Sequence, residues 1–224
     1  MTDEGPRIRV TKDGPYQVYG TPPLARLAKI KTEYGEPVDW TSPEPLATGR
    51  RFALCRCGRS KTKPFCDDSH LEEPRFDGSE VADRGPRAAR AQTFVGETMV
   101  LTDDLSLCAL AGYCRTRSTS VWEMIEVSSD ADVRERLVTM ISNCPSGRLE
   151  QQPSIAEPAE EPAFEPMIGV TRNGPYWVRG GIPIESEDGQ TYEVRNRVTL
   201  CRCGQSRNKP FCDGSHSDVG FRDG

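Results

Sequence analysis

The sequence predicts a strand-rich α+β protein in which one small module occurs twice and a different small module lies between the copies. Two blocks of sequence recur near the two ends of the chain, and apolar residues alternate within them as they do along strands. Apolar residues at helical spacing occur between the copies. Of the 224 residues, 28% are charged and 35% hydrophobic, so several small units are favoured over one large core.

The repeat consists of one block around a Gly-Pro-Tyr sequence and a second block that holds most of the cysteines. The first block reads IRVTKDGPYQVYG at Ile8–Gly20 and IGVTRNGPYWVRG at Ile168–Gly180, with eight identical positions of thirteen. The second reads LCRCGRSKTKPFCDDSH at Leu54–His70 and LCRCGQSRNKPFCDGSH at Leu200–His216, with thirteen identical positions of seventeen. This duplication predicts two modules of the same fold.

The two copies differ in length. Their blocks are offset by 160 and 146 residues, so the first copy holds 14 extra residues. The surplus falls around Pro22–Thr48, a stretch rich in Pro, Lys and Glu that we predict to be a loop. The modules are therefore placed at residues 5–79 and 167–224. Units this small usually need a metal or disulfides for stability.

Each module is predicted to begin with a β-hairpin. Apolar residues alternate over residues 8–18 on either side of a turn at Asp13-Gly14-Pro15, and the same order recurs over residues 168–178. Arg51–Leu54 and Arg197–Leu200 are predicted strands that lead directly into the cysteines. Most of the regular structure in the modules is therefore expected to be strand.

Residues 80–150 follow a different pattern and are predicted to form a separate domain. Thr98–Leu101 is a predicted strand. A helix is predicted to begin at Ser129 as N-cap and to end before Pro145, because apolar residues recur at helical spacing between them. Residues 151–166 contain four Pro, four Glu and three Ala, a composition typical of an extended linker without core-forming residues.

Composition excludes several classes of protein. No apolar run approaches the roughly 18 residues of a membrane span, and the net charge of −5 provides no basic surface for nucleic acid. The first residues lack the basic and apolar regions of a secretory signal, so we expect a cytoplasmic protein. In that compartment the nine cysteines favour metal ligation over a disulfide framework.

The only two histidines stand four residues after a cysteine, at the same point of each repeat. Each copy reads C-x-C-x2-S-x3-P-x-C-x3-H, which is a complete set of three thiolates and one imidazole. Such a set fits a zinc ion, although one residue between the first two cysteines is tight for a single tetrahedral metal. It also fits a [2Fe–2S] cluster with one pair of ligands on each iron. The candidate ligands are Cys55, Cys57, Cys66, His70, Cys201, Cys203, Cys212 and His216.

Both cysteine blocks resemble the signature of the CDGSH iron–sulfur (NEET) family. The second block matches it throughout, whereas Asp68 stands where the family has Gly. Asp tolerates a positive φ better than most residues, so the departure concerns local geometry and not the ligands. The resemblance implies that the first two cysteines of each set bind an inner iron and that the Cys-His pair binds an outer iron. It further implies two modules paired about a two-fold axis, here as an intrachain pseudo-dimer within a monomer.

The remaining three cysteines lie in the middle domain. Cys108 and Cys114 form a C-x5-C pattern, and Cys144 begins a C-P-S-G sequence. This pattern resembles the divergent mono-cluster ferredoxins, which implies a small ferredoxin-like fold of two strand–helix units. It also implies a [3Fe–4S] cluster, or a [4Fe–4S] cluster with an outside fourth ligand. The alternatives are three buried structural cysteines, or a degenerate domain that has lost its cluster.

The function that these ligands favour is electron transfer by two [2Fe–2S] clusters and a third cluster between them. The partner would be a redox protein, and neither a membrane nor a nucleic acid is expected to bind. No hydrolytic triad or phosphate-binding loop indicates an enzyme. Two alternatives stay open. The first is cluster transfer to an apo-acceptor protein or redox sensing, for which the imidazole would be the labile ligand. The second is an interaction module whose small fold is stabilised by zinc.

Overall fold

The computed structural model describes residues 5–223, and 27% of the residues are in strands against 15% in helices. The strands are β1 (Arg7–Val10), β2 (Tyr16–Tyr19), β3 (Leu24–Leu27), β4 (Lys29–Lys31), β5 (Pro37–Trp40), β6 (Glu44–Leu46), β7 (Arg51–Leu54), β8 (Gln92–Val95), β9 (Val100–Asp103), β10 (Leu149–Gln152), β11 (Met167–Thr171), β12 (Tyr176–Arg179), β13 (Ile184–Glu185) and β14 (Arg197–Leu200). The α-helices are α1 (Val121–Met124), α2 (Ala131–Ser142) and α3 (Ser215–Asp218).

Each module contains the predicted hairpin followed by the predicted strand before the cysteines. In the first module β2 pairs antiparallel with both β1 and β7, and in the second β12 pairs in the same way with β11 and β14. The alternation of apolar and polar residues in the sequence corresponds to alternating burial in the strand. In β1, Ile8 and Val10 face the core, while Arg9 between them is exposed. The sequence-based prediction of these strands is confirmed.

Each sheet also includes a strand from the other module. β3 of the first module pairs parallel with β11, and β13 of the second pairs parallel with β1. The resulting sheets have the orders β13-β1-β2-β7 and β14-β12-β11-β3-β6. Their inner faces form one apolar core with residues from both modules, so neither module buries its apolar face alone.

The prediction that Pro22–Thr48 is a loop is wrong. The segment holds four strands, β3 to β6, and within β3 both Leu24 and Leu27 are buried. The composition of Pro, Lys and Glu suggested a loop, but β4 pairs with β5 and β3 with β6 inside the segment, and β3 also pairs with β11, which lies far along the chain. Local pattern cannot detect a pairing of that kind.

The middle domain is a three-stranded antiparallel sheet, of order β10-β9-β8, that packs against helices α1 and α2. The predicted strand at Thr98–Leu101 is shifted, since β9 starts at Val100 and the amide of Gly96 bonds the carbonyl of Met99 to close a tight turn. The predicted helix exists as α2.

Its N-cap is Asp130 and not Ser129. The Oδ1 of Asp130 accepts hydrogen bonds from the amides of Asp132 and Val133, while the hydroxyl of Ser129 bonds Glu97 instead. Asn143 caps the other end, two residues before the proline that was predicted to stop the helix.

The Pro- and Glu-rich segment at residues 151–166 lies against the two domains that it joins. The amide of Glu160 bonds the carbonyl of Gln151 at 2.8 Å, and Glu161 forms an ion pair with Arg197 at 2.6 Å. The ring of Phe164 packs edge-on to Trp177, with ring centroids 5.7 Å apart. These contacts fix the position of the second module relative to the middle domain.

Within the described part of the chain, no helix has both the length and the apolar character needed to cross a lipid bilayer.

Candidate metal centres

In each module the cysteines lie on a loop that folds back along the last strand. In the first module the amide of Cys55 bonds the carbonyl of Pro64 at 2.8 Å, and the amide of Cys66 bonds the carbonyl of Ala53 at 2.9 Å. The corresponding bonds of the second module, from Cys201 to Pro210 and from Cys212 to Thr199, are both 2.8 Å long. The third cysteine is thereby brought beside the strand end that carries the first.

A left-handed residue then turns the chain so that the histidine faces this cysteine. The residue is Asp68 with φ of 64° in the first module and Gly214 with φ of 89° in the second. The position at which Asp68 replaces the glycine of the signature therefore requires a positive φ. Asp adopts such a φ more readily than most residues. One helical turn follows in each module, and it carries His70 and His216.

The donor atoms of each module form two close pairs. The sulfurs of Cys55 and Cys57 are 3.7 Å apart, and those of Cys201 and Cys203 are 3.9 Å apart. The Nδ1 atoms of the histidines lie 3.5 Å from the sulfur of Cys66 and 3.4 Å from that of Cys212. Two ligands bound at about 2.0–2.3 Å to one tetrahedral metal stand roughly 3.5–3.8 Å apart, so each pair fits one metal.

The two pairs of a module do not converge on one point. Across residues 5–223, the only three Cys, His, Asp or Glu donor atoms within 4.8 Å of one another belong to Cys66, Asp68 and His70. No three of the four predicted ligands of either module therefore meet at one position.

The buried Cys-x-Cys pairs are arranged to supply a thiolate. Within each pair one thiol donates to the other, and this hydrogen bond is the main reason that the pKa values of Cys57 and Cys203 are lowered. Burial opposes the effect, and backbone amides of the loop add to it. The lowered pKa favours the thiolate, the form that binds metal, at one sulfur of each pair, while the same hydrogen bond and burial raise the pKa of Cys55 and Cys201.

Comparison with known families agrees with this geometry. A family model described as "Iron-binding zinc finger CDGSH type" matches residues 13–71 and 173–217. Each module therefore contains a segment of the CDGSH type. A model described as "Divergent 4Fe-4S mono-cluster" matches residues 94–152, between them. Both resemblances predicted from the cysteine spacing are confirmed, and together they identify an iron–sulfur protein. Comparisons with curated proteins and with solved structures gave no match.

Polar residues within each CDGSH loop hold its shape. The hydroxyls of Ser60 and Ser206 donate to the carbonyls of Phe65 and Phe211, both at 2.7 Å. Asp67 accepts hydrogen bonds from the hydroxyl of Ser69 and from loop amides, and these bonds keep the pKa of its carboxyl well below the usual range. The serine and the aspartate of the signature thus act on the loop rather than as ligands.

A buried arginine that the ligand pattern does not predict lies between the first two cysteines of each module. The guanidinium of Arg56 donates to the carbonyls of Thr11, Gly14 and Gly78 at 2.8–2.9 Å. Arg202 binds the corresponding carbonyls of the second hairpin turn and forms an ion pair with Asp223. The available signal was that both copies read Cys-Arg-Cys.

The two CDGSH modules contact each other at their metal loops. The hydroxyl of Tyr16 lies 2.9 Å from the carbonyls of Cys201 and Pro210, and that of Tyr176 lies 2.9 Å from those of Cys55 and Pro64. A Cβ on Gly58 would lie 2.5 Å from the carbonyl oxygen of Cys203, and one on Gly204 would lie 2.5 Å from that of Cys57. The tyrosine of each module therefore supports the ligand loop of the other.

Tyr16→Phe is expected to weaken the second module, although the residue belongs to the first. Loss of the hydroxyl leaves the buried carbonyl of Cys201 without this donor, at a cost of about 1–3 kcal/mol. We expect a lower melting temperature and faster loss of iron from Cys201–His216. Tyr176→Phe is the matched control, and it should destabilise Cys55–His70 instead. If each variant instead destabilised the module that contains the substituted tyrosine, the inference that each tyrosine supports the other module would be contradicted.

The two centres differ in exposure because the middle domain covers only the second. Cys212 and His216 are 3% and 8% exposed, whereas Cys66 and His70 are partly exposed. The covering loop holds Leu110, whose Cγ would lie only 2.4 Å from a Cβ placed on Gly214. The side chain of Asn208 also donates to the carbonyl of Ser106 at 2.9 Å. The duplicated sites are therefore chemically alike but unequally accessible.

The structure places the three middle-domain cysteines near one end of their sheet. Cys114 and Cys144 pack in the apolar core beside α2, and the sulfur of Cys108 accepts a hydrogen bond of 3.1 Å from Arg148. Burial raises the pKa of Cys114, and the thiols of Cys144 and Cys108 raise it further, while Arg148 lowers it. The three sulfurs interact electrostatically but do not converge on one ion.

Proposed function

We propose that the chain is an iron–sulfur electron carrier, and not an enzyme, with a [2Fe–2S] cluster in each CDGSH module and a third cluster in the middle domain. In this proposal Cys55 and Cys57 hold one iron, and Cys66 and His70 hold the other. The second module repeats the arrangement with Cys201, Cys203, Cys212 and His216. The observation that carries the proposal is the division of each ligand set into two pairs, each spaced for one metal.

This spacing argues against the zinc alternative. A structural zinc ion needs all four ligands around one centre, with every pair about 3.5–3.8 Å apart. In each module two pairs lie close to this spacing, at 3.4–3.9 Å, but no third ligand joins either pair. A [2Fe–2S] cluster would take two protein ligands on each iron, and the division of the four donors into two pairs supports this proposal.

A [2Fe–2S] cluster with one imidazole ligand supplies one-electron transfer at a potential between, or overlapping, those of all-cysteine and two-histidine clusters. The chain contributes the environment. Burial lowers the pKa of His216, and the charges of Lys29 and Arg202 lower it further. The imidazole is therefore held neutral, which leaves a nitrogen lone pair for iron. Buried Arg56 and Arg202 hold the Cys-x-Cys segments in place.

We further propose that the two modules form an intrachain pseudo-dimer and that the chain acts as a monomer. The exchanged strands and the reciprocal tyrosine bonds support this, because both kinds of contact run from the first module to the second and from the second to the first.

For the third cluster, Cys108, Cys114 and Cys144 are the proposed ligands, and three thiolates suit [3Fe–4S] or [4Fe–4S] with an outside fourth ligand. Arg148 supports the site because its guanidinium reaches the sulfur of Cys108 while Asp103 holds it from the other side at 2.5 Å and 2.7 Å. A fixed cation beside a thiolate offsets the negative charge of a bound cluster.

Iron and acid-labile sulfide analysis of anaerobically purified protein, with EPR of the oxidised and reduced forms, tests the proposal. Two [2Fe–2S] signals should appear on reduction, and a [3Fe–4S] cluster would add a signal in the oxidised state. A colourless protein that contains only zinc would overturn the proposal. Cys144→Ala should remove the third signal alone.

The exposure of Cys66 and His70 favours a second candidate function, which is transfer of the first cluster to an apo-acceptor protein. Transfer requires that the acceptor reach the outer iron, and only the first module leaves its Cys-His pair partly exposed. Mixing the protein with an apo-ferredoxin distinguishes the functions. Movement of iron and sulfide to the acceptor with the chain intact supports transfer, whereas no movement supports the carrier role.

Removal of iron by a chelator is expected to occur in two phases when the [2Fe–2S] absorption is followed. The first module should lose its cluster several-fold faster, because Cys212 and His216 lie under the middle domain. Cys66→Ser should remove the fast phase, and Cys212→Ser should remove the slow one. A single phase, or a fast phase that survives Cys66→Ser, would show that the covering loop does not protect the second site.

A further inference from the structure

A cavity of about 370 Å³ lies between the middle domain and the second CDGSH module. The middle domain contributes residues 109–111 and Pro145 to its wall, and the second module contributes its hairpin turn at residues 171–175 together with His216. Lys29 on β4 completes the wall. The cavity therefore exists only because the two domains meet, and it lies beside the ligand histidine.

Three cations and no carboxylate line this cavity. They are Lys29, Arg172 and Arg222. Lys29 donates one hydrogen bond, to the carbonyl of Ala111 at 2.7 Å, which leaves two further N–H donors. Arg222 bonds only the carbonyl of Phe221, and the guanidinium of Arg172 has no hydrogen bond or ion pair within residues 5–223. Most of the donors of these cations are thus available to a ligand.

A nearby carboxylate does not neutralise this charge. Asp223 forms a buried ion pair with Arg202 and accepts the amide of Asn173, and its distance to Arg26 is 3.9 Å. These partners also hold the pKa of the Asp223 carboxyl below its usual value, although burial opposes them. Because Asp223 is already paired with Arg202 and holds the Cys-Arg-Cys segment in position, it does not offset the positive charge of the cavity.

The first module shares only part of this positive charge, because it has Lys12 at the position of Arg172 but no cation at the position of Arg222. Phe76 and Phe221 are equivalent, because each amide bonds the carbonyl of the ligand histidine, at 3.1 Å and 2.9 Å. The residue after each is Asp77 in the first module and Arg222 in the second. In the hairpin turn, Asp13 of the first module corresponds to Asn173 of the second. Two carboxylates of the first module are thus absent at the second site, which the middle domain encloses, while Asp223 stands where the first module has Gly78.

We propose that this cavity binds a small molecule carrying a phosphate or carboxylate group, held by Lys29, Arg172 and Arg222 beside His216. Guanidinium and ammonium donors bind such oxyanions through charge-assisted hydrogen bonds. The volume accommodates a small metabolite. Because the ligand would touch the wall that contains His216, the second centre reports its binding and the first does not.

Isothermal titration calorimetry of the full-length, cluster-loaded protein tests this proposal. Pyrophosphate and succinate are the probes, in a buffer of about 0.15 M ionic strength that contains no other oxyanion. We expect one saturable site for at least one probe, and the probe that binds more tightly identifies phosphate or carboxylate chemistry. The visible circular dichroism of the second centre should change with the same dissociation constant.

Arg222→Asp, which introduces the residue of the first module, should weaken binding by about tenfold or more. Arg172→Gln should weaken it less, since it removes one charge without introducing another. Lys12→Asp is the matched control. It makes the same change of charge as Arg222→Asp, but on the hairpin turn of the first module, at the position that corresponds to Arg172. It should leave the affinity unchanged. The unaltered visible spectrum of each variant before titration shows that it is folded and loaded.

Three results would overturn the proposal: no saturable binding of either probe up to millimolar concentration, an affinity that Arg222→Asp does not change, or an equal loss in Lys12→Asp. The last result would show general attraction of anions to the surface. None of them bears on whether iron is bound, since the cluster content is measured independently.

Discussion

His216→Cys is expected to lower the midpoint potential of the second centre by an amount on the order of 100–300 mV. A thiolate in place of neutral imidazole adds one negative charge to the cluster, so adding an electron becomes harder. All-cysteine plant-type clusters lie near about −400 mV, and two-histidine clusters lie at about −150 to +300 mV, so one ligand accounts for part of that interval. A redox titration followed by EPR measures the shift.

The same substitution should make the second centre more resistant to acid. A proton competes with iron for the ligating nitrogen of imidazole near neutral pH, whereas a bound thiolate resists protonation there. His70→Cys is the matched variant, and it should shift the potential and the acid stability of the first centre only. An unchanged potential together with unchanged loss of the cluster in acid would contradict ligation by His216.

Arg197→Met is expected to destabilise the protein by about 3–5 kcal/mol, because it leaves Glu161 without its buried partner and several carbonyls without a donor. The guanidinium is 1% exposed. It binds Glu161 at 2.6 Å and 2.7 Å, and it donates to the carbonyls of Ile141, Cys144 and Leu149 at 2.6–2.9 Å. One side chain thus joins β14, the middle domain and the segment at residues 151–166. Thermal unfolding measures the loss.

The repeat provides a control for this substitution. Arg51 holds the equivalent position at the start of β7, but it is exposed and contacts only the ring of Tyr19, at 5.2 Å. Arg51→Met should therefore cost less than about 1 kcal/mol. Limited proteolysis should cut the segment at residues 151–166 readily in Arg197→Met and slowly in Arg51→Met. Equal effects of the two substitutions would show that Arg197 does not join the domains.

The cysteine sets could be predicted because their chemistry is local. All four ligands of a module fall within sixteen residues, and the duplication places the two histidines at the same point twice. The hairpins could be predicted for the same reason, since alternation and turn residues act over a few positions. Cys108, Cys114 and Cys144 were found through their spacing, although they come from two separate parts of the middle domain.

Contacts between distant segments could not be predicted in this way. Within Pro22–Thr48, β4 pairs with β5 and β3 with β6, but β3 also pairs with β11 far along the chain, and that pairing leaves no local signal. The role of Arg56 could not be predicted because two of its three hydrogen bonds go to carbonyls of a hairpin turn. Those carbonyls lie more than forty positions away in the sequence. The covering of the second centre depends on Leu110, which nothing in the repeat indicates.

The amino-acid sequence alone determined which atoms can bind metal, that there are two such sets, and that a third group of cysteines lies between them. Those properties follow from residue type and short-range spacing. Only the tertiary structure decided that the modules exchange strands, that each ligand set divides into two pairs, and that the second pair of Cys and His lies beneath the middle domain beside a cationic cavity. Burial and electrostatic environment come from residues far apart in the chain, and so two nearly identical sequences acquire different surroundings.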